Sequence, residues 1–314
     1  MRFSLWPTTM QSWPDLQTEA AHAAATGWDG VWVADHFMPS AEPVDQPMLE
    51  CWSVLAALAV TVPGIRLGSL VTGNTYRHPA VLANAAATVD QLSGGRVVLG
   101  LGAGWQQNEH AAYGLDLYEA AERLSRLDEA CAVLRLLFDE SRASFAGRYF
   151  TLVDAPMEPK PAQAHLPLLI GGGGERVTLR IAARWADEWN VWGTPEILAA
   201  KGAILDRHCA QVGRDPGAIG RCAQVLVDLD GSAAGRESRV PTVSGSVAEL
   251  EDLLGRYEAA GVGEFVLPDW NLGTGARRLD AIDRFLTEVA APFRPPEAPA
   301  PGPGEPRAGA RRSS

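Results

Sequence analysis

The sequence predicts a closed (β/α)8 barrel, and three observations carry that prediction. Strand-like apolar runs alternate with helical patterns eight times along the chain, as the repeat of a parallel barrel requires. One stretch, Leu67 to Trp105, reads as strand, helix and strand without interruption. Polar and glycine-rich residues collect just after the strands, where barrels of this kind keep their chemistry.

The strands are expected at Arg2–Leu5, Gly30–Ala34, Arg66–Val71, Val97–Leu101, Leu168–Ile170, Glu188–Val191, Ala223–Asp228 and Glu264–Leu267. Most are nearly all apolar, the pattern of strands covered on both faces. Helices are expected at Asp15–Thr26, Glu50–Val60, Pro79–Leu92, Ala120–Phe138, Arg176–Ala183, Pro195–Val212, Val247–Ala260 and Ala276–Ala290. In the third, Val81, Leu82, Ala85, Val89 and Leu92 recur at helical spacing, so one face is buried. Pro79 suits a first turn, and Gly94 and Gly95 suit a left-handed ending. Thr194-Pro195 reads as an N-cap followed by a first-turn proline, and Ser246-x-x-Glu249 as a capping box.

Two stretches break the repeat. Glu140 to Leu166, with Tyr149 and three prolines, implies an insertion before the fifth strand that is expected to cover the barrel mouth. Pro295 to Ser314 is rich in Pro, Gly and Ala and almost lacks large apolar side chains, so it cannot offset its ordering entropy. The expected organisation is a barrel over residues 1–292 and a disordered tail over 293–314.

Composition narrows the function. With 46% hydrophobic residues in 314, the chain can bury a large core. A net charge of −11 argues against nucleic acid, whose backbone takes many cations to neutralise. Cys51, Cys131, Cys209 and Cys222 show no metal-binding spacing, so no metal is expected and reduced structural thiols are. The MRFSLWP start and the lack of a long apolar stretch predict neither a signal peptide nor a membrane span, and hence the cytoplasm.

Four strand endings offer chemistry. They are Asp35-His36-Phe37 after strand two, Ser69-Leu70-Val71-Thr72 with Gly73-Asn74 at strand three, Gly100-Leu101-Gly102-Ala103-Gly104 with Asn108 and Glu109 beyond it at strand four, and Gly171-Gly172-Gly173-Gly174 at strand five. The glycine run opens a helix near Glu175-Arg176, so its amides, the helix dipole and Arg176 are positioned for a phosphate. A ligand-free flexible turn would read the same way, and no Gly-Lys-Ser/Thr follows to make it a nucleotide P-loop.

His36 is the only histidine at a predicted strand end and suits proton exchange, although a lone histidine is more often a hydrogen-bonded loop residue. Asp35 is a candidate to orient that loop or to bond an imidazole nitrogen. Gly102 and Gly104 permit either a tight turn or the approach of a flat ligand. Tyr76-Arg77-His78-Pro79 reads as a helix entry. The tryptophans at 6, 13, 52, 105, 189 and 192 read either as the lining of an apolar pocket or, as for most large aromatics, as ordinary core; Trp6 and Trp105 are expected at the mouth because each directly follows a strand.

Taken together, FSLWPT, GWDGVWVADHF, LVTGNTYRHPAVLANAAATVDQLSGGRVVLGLGAGW, PLLIGGGGERVTLRIAARWADEWN and GVGEFVL resemble the luciferase-like monooxygenase superfamily, most closely its branch that uses the deazaflavin coenzyme F420. The resemblance covers about residues 1–292. It implies a flavin or deazaflavin ring at the barrel mouth, backed by a non-proline cis peptide at the segment matching Ser69-Leu70. It places Asp35, His36, Ser69, Thr72, Gly104 and Asn108 beside the ring, and Gly172 and Gly173 at the phosphate. The sugar-phosphate dehydrogenases of this branch carry a glutamate where this chain has Trp105, and an aromatic near Ser40. A glucose-6-phosphate-type substrate is therefore not expected, and a less polar organic substrate against Trp6 and Trp105 is.

The resemblance thus implies an F420-dependent oxidoreductase with His36 as proton donor or acceptor. The alternatives are a monooxygenase using reduced FMN and oxygen, and a non-catalytic cofactor-binding barrel. A homodimer is plausible through the Glu50–Val60 helix, which is apolar around more of its circumference than a surface helix needs, although core packing reads the same.

Overall fold

The computed structural model describes residues 1–229 and 240–294. Eight parallel strands close into a barrel: Arg2–Trp6, Gly30–Val33, Arg66–Ser69, Val97–Gly102, Leu168–Gly171, Glu188–Trp192, Gly220–Gln224 and Glu264–Pro268. Each pairs with its sequence neighbours, and the first pairs with the last from Arg2↔Glu264 to Trp6↔Pro268. The tail expected to be disordered lies, from residue 295, outside the described residues.

Helices cover the barrel with the caps that the sequence calls for. Gly94 ends helix Pro79–Ser93 at φ +69°, and Ser246 and Glu249 form a reciprocal capping box on helix Val247–Ala259. Outward-facing strand residues such as Phe3, Leu5, Val31 and Leu99 are fully buried under the helices. Helix Cys51–Thr61 turns Cys51, Val54, Leu55 and Leu58 into this core, which accounts for most of its apolar circumference.

Three expectations are corrected. The seventh strand ends at Gln224, and Leu226–Asp228 leaves the barrel to pair with Thr242–Ser244. The insertion does not reach the mouth: it forms the hairpin Ala143–Ala146 with Thr151–Ala155, whose turn is tied to helix Ala120–Asp139 by Glu129, which accepts from the N–H groups of Arg148, Tyr149 and Phe150. The reason is directional, since a segment joining a helix to the next strand starts and ends at the N-terminal end of the barrel. Finally, the cis peptide lies at Leu70-Val71 and not at Ser69-Leu70. Ser69 is still in register with Val33, and the Leu70 N–H donates to the Val33 carbonyl, so the chain leaves the ladder one residue later.

The bulge at Val71 explains several glycines. A Cβ on Gly100 would lie 1.9 Å from the Ser69 carbonyl oxygen, and Cβ atoms on Gly102 and Gly171 would lie 2.6 and 2.8 Å from the Val71 side chain. Strands four and five are stripped of side chains where strand three pushes inward.

The floor of the barrel is ionic. Glu264 and Glu188 accept from both Arg2 and Arg66, while Ser4 Oγ and Trp32 Nε1 donate to Glu264 Oε1 at 2.6 and 2.9 Å. Burial would lift the Glu264 carboxyl, but Arg66, Arg2 and these hydrogen bonds outweigh it and hold the group below its ordinary value. Above this layer the interior is apolar, with Trp32, Val98, Leu169, Cys222 and Val266.

Candidate active site

At the opposite end lies a cavity of about 930 Å3, walled by residues at or just after the C-terminal ends of the strands. Its wall includes Trp6, His36, Leu70, Gly104, Trp105, Gly172 and Gly173. Residues between Met38 and Met48, the loop after strand two, also line it. This loop covers the mouth in the role expected of the later insertion. Helix Gln107–Tyr113, which the sequence reading missed, pins it: Gln106 Nε2 donates to the Met38 carbonyl and Asn108 Nδ2 to the Pro39 carbonyl at 2.9 Å.

His36 stands at the centre of the polar network at the mouth. Its Nδ1 lies 2.8 Å from Oε1 of Glu109, a fully buried carboxylate that also accepts from the Phe37 N–H at 2.8 Å and from the Tyr76 hydroxyl. Burial favours the neutral acid, yet the bonds from His36, Tyr76 and Phe37 outweigh it and keep Glu109 below the ordinary carboxylate value. An ionised carboxylate only accepts, so Nδ1 carries the hydrogen and Nε2 is left for exchange with a ligand. Trp105 packs edge-on to the imidazole at 5.5 Å between centroids.

Asp35 does not touch the imidazole. Its carboxylate is buried and accepts from both terminal nitrogens of Arg77, at 2.6 and 3.0 Å, and from the Gly73 N–H. Asp35 lines the cavity, but its oxygens are engaged in locking the end of strand two to the chain after strand three. Tyr76 and Arg77, read from sequence as a helix entry, therefore turn inward as supports for Glu109 and Asp35.

The remaining candidates divide into wall and backing. Leu70, Gly104, Gly172 and Gly173 face the cavity, with Gly104 at φ +81° and Gly172 at φ +122°. Ser69 and Thr72 stand behind the wall: Ser69 Oγ donates to the Gly100 carbonyl, Thr72 Oγ1 donates to Ser69 Oγ, and Trp52 Nε1 donates to Thr72. Asn108 is likewise a loop anchor outside the wall. Arg176 is exposed and does not line the cavity, because the helix after strand five starts at Thr178, two residues later than expected. A cation beside the glycine loop is Lys201, whose Nζ donates to the Gly173 carbonyl at 2.8 Å and to Glu175 Oε1 at 3.3 Å. It lies on helix Pro195–Val212, and no sequence signal links it to the glycines.

Trp6 reaches the mouth as expected, and it has company. Trp192 and Trp270 join it, with centroids 5.7 and 4.9 Å from Trp6. The rule that picked Trp6, position just after a strand, also picks Trp192, at the end of strand six, and Trp270, two residues past strand eight. Trp52 and Trp189 are buried core. Buried Trp6 Nε1 and Gln224 Oε1 both lack a hydrogen-bond partner among the described residues, and both side chains belong to the cavity wall.

The family model for luciferase-like monooxygenases matches residues 1–297. The chain belongs to the luciferase-like monooxygenase family. Among its relatives is an F420-dependent hydroxymycolic acid dehydrogenase of Mycobacterium tuberculosis (strain ATCC 25618 / H37Rv), 31% identical over 88% of this chain and 78% of the relative. An F420-dependent glucose-6-phosphate dehydrogenase of Amycolatopsis mediterranei (strain U-32) is 38% identical over 55% of this chain, which spans only 51% of that relative's length. The luciferase-like barrel superposes on a solved F420-dependent secondary alcohol dehydrogenase with a TM-score of 0.80 at 20% identity, covering 94% of this chain and 99% of the other. EDTA monooxygenase from Chelativorans sp. BNC1 gives 0.78 at 15% identity, covering 93% of each. Both likenesses describe the fold. No described helix is long and apolar enough to cross a membrane, and no described cluster of His, Cys, Asp or Glu is arranged to hold a metal.

Proposed function

We propose that this protein is an F420-dependent oxidoreductase acting on a small organic molecule, with His36 as the residue that exchanges a proton with it. The observation that carries this reading is the His36–Glu109 pair: a cavity-lining imidazole whose Nδ1 is fixed by a buried carboxylate at 2.8 Å. Relatives named as F420-dependent dehydrogenases support the cofactor.

The cavity fits such a group. It has room for a ring system and a substrate together. Its wall supplies two buried polar atoms without partners among the described residues, Trp6 Nε1 and Gln224 Oε1. Leu70 would back the ring, Gly104 would let it approach the main chain, and Gly172 and Gly173, with Lys201 nearby, would hold the first phosphate. When bound, the deazaflavin supplies hydride chemistry. The protein's own residues do the rest. Glu109 fixes the His36 tautomer and compensates the charge that forms when Nε2 takes a proton, Tyr76 and the Phe37 N–H hold Glu109 in place, and the 38–48 loop excludes water.

The test is titration of the apoprotein with F420 and with FMN, read by cofactor fluorescence. Micromolar F420 binding that weakens about tenfold in Lys201→Ala is expected. Binding of FMN alone would replace this reading with that of a reduced-FMN monooxygenase, and binding of neither with that of a non-catalytic barrel. The four buried free cysteines suit a reducing compartment, so we place the protein in the cytoplasm. Exposed Val60 and Val81, on helices Cys51–Thr61 and Pro79–Ser93, support a homodimer through that side of the barrel.

A further inference from the structure

Trp6, Trp192 and Trp270 form a continuous indole surface, with the third pair, Trp192 and Trp270, also in contact at 5.5 Å. The indoles meet at interplanar angles of 43°, 62° and 48°, so each covers a neighbour's edge and the group presents a wall. The ring centroids lie only 5.7, 4.9 and 5.5 Å apart, so the indoles touch one another and leave no gap between them for an ammonium group. Among the described residues no lysine or arginine lines the cavity. Of its carboxylates, Asp35 is bound to Arg77, and Glu42 lies exposed at the rim, where it accepts from the Val44 N–H. Among the described wall residues, away from the glycine loop and Lys201, an anionic substrate would lose its hydration without gaining a counter-charge, and a cationic one would find no free buried carboxylate. A neutral apolar molecule loses nothing by entering and covers the indoles.

We propose that the cavity takes a neutral alcohol, or the matching ketone, carried on an apolar skeleton of aromatic size. The choice of functional group rests on the F420 and His36 reading above. In the oxidising direction Nε2 of His36 would take the hydroxyl proton as the C=O bond forms, and the bound coenzyme would supply the two-electron acceptor for the carbinol hydrogen and its electron pair, so that the two electrons lost by the alcohol are accounted for. The skeleton lies against Trp192 and Trp270, so these are specificity residues for the apolar part.

The test uses three matched probes: 4-phenylcyclohexanone, its para-carboxylate and its para-aminomethyl analogue. Binding is read by tryptophan fluorescence in both cofactor-free and F420-saturated protein. The neutral ketone should bind at least tenfold more tightly than either charged analogue, and Trp192→Ala and Trp270→Ala should each cost it about tenfold. Trp270 is 44% exposed, so its truncation leaves the core intact and keeps the test valid if Trp192→Ala misfolds. Equal or tighter binding of the carboxylate or the ammonium, or an unchanged affinity in Trp270→Ala, overturns the proposal. Because the cofactor-free arm needs no F420, a failed cofactor titration with the ketone preference intact would sink the cofactor reading and leave the neutral pocket standing.

Discussion

The two ends of this barrel face opposite problems and solve them with opposite residues. At the floor, Arg2, Arg66, Glu188 and Glu264 interlock, and Ser4 and Trp32 add further bonds to Glu264. At the mouth, tryptophans and glycines dominate, and Trp6 Nε1 and Gln224 Oε1 have no partner among the described residues. The floor uses its charges to complete the fold, whereas the mouth keeps polar capacity in reserve beside an aromatic wall. The difference teaches where substitutions will register: in stability at one end, in binding and turnover at the other.

The sharpest way to break this contrast is at the floor. Glu264→Ala removes one of the two carboxylates that Arg2 and Arg66 share and leaves Ser4 Oγ and Trp32 Nε1 without their acceptor, so a loss of about 3 kcal/mol is expected by chemical denaturation; a loss below 1 kcal/mol would show that the network is dispensable. At the mouth, His36→Asn should lower turnover by about 10²–10⁴-fold with the denaturation midpoint nearly unchanged. A comparable fall in stability would make His36 part of the scaffold.

Between the two ends sits Gly100→Ala, whose Cβ meets a backbone oxygen at 1.9 Å. It should destabilise by about 1–3 kcal/mol and also weaken cofactor binding, because strand three must move. An effect on stability alone would separate the bulge from the site.

The smallest effect expected is a pH dependence at Glu109. Its carboxyl is held below the ordinary value of 4.5, so its contribution to stability is complete above that value and fades as pH falls through the lower folded-state value. Glu109→Gln should flatten this acid limb and alter the 15N shifts of the His36 imidazole, while Glu109→Asp retains part of both. Unchanged shifts in Glu109→Gln would free His36 of its orienting partner.

Much of the fold could be read along the chain. Pro79 and Gly94 bracket a helix, and Ser246 and Glu249 cap one, because these effects act within a few residues. The glycines of strand four were legible as a feature but not in purpose. Gly100 and Gly102 make room for a bulge carried by a different strand, a contact that no local pattern records. Asp35 shows the same limit: its neighbour in sequence is His36, yet its partner is Arg77 and the imidazole's partner is Glu109. The insertion was misplaced for a simpler reason, since its sequence reports its length and prolines but not the end of the barrel at which it emerges.

What the sequence alone determined was the alternation of eight strands and helices, the glycine loop after strand five and the family to which they point. These depend on periodicity, capping and backbone freedom, all properties of short segments. Only the tertiary structure decided which residues share the cavity. It paired His36 with Glu109, 73 positions away, brought Lys201 to a loop 28 positions before it, and gathered Trp6, Trp192 and Trp270 into one wall. Barrel closure sets these distances by joining the first strand to the last, and it leaves no trace in any one segment.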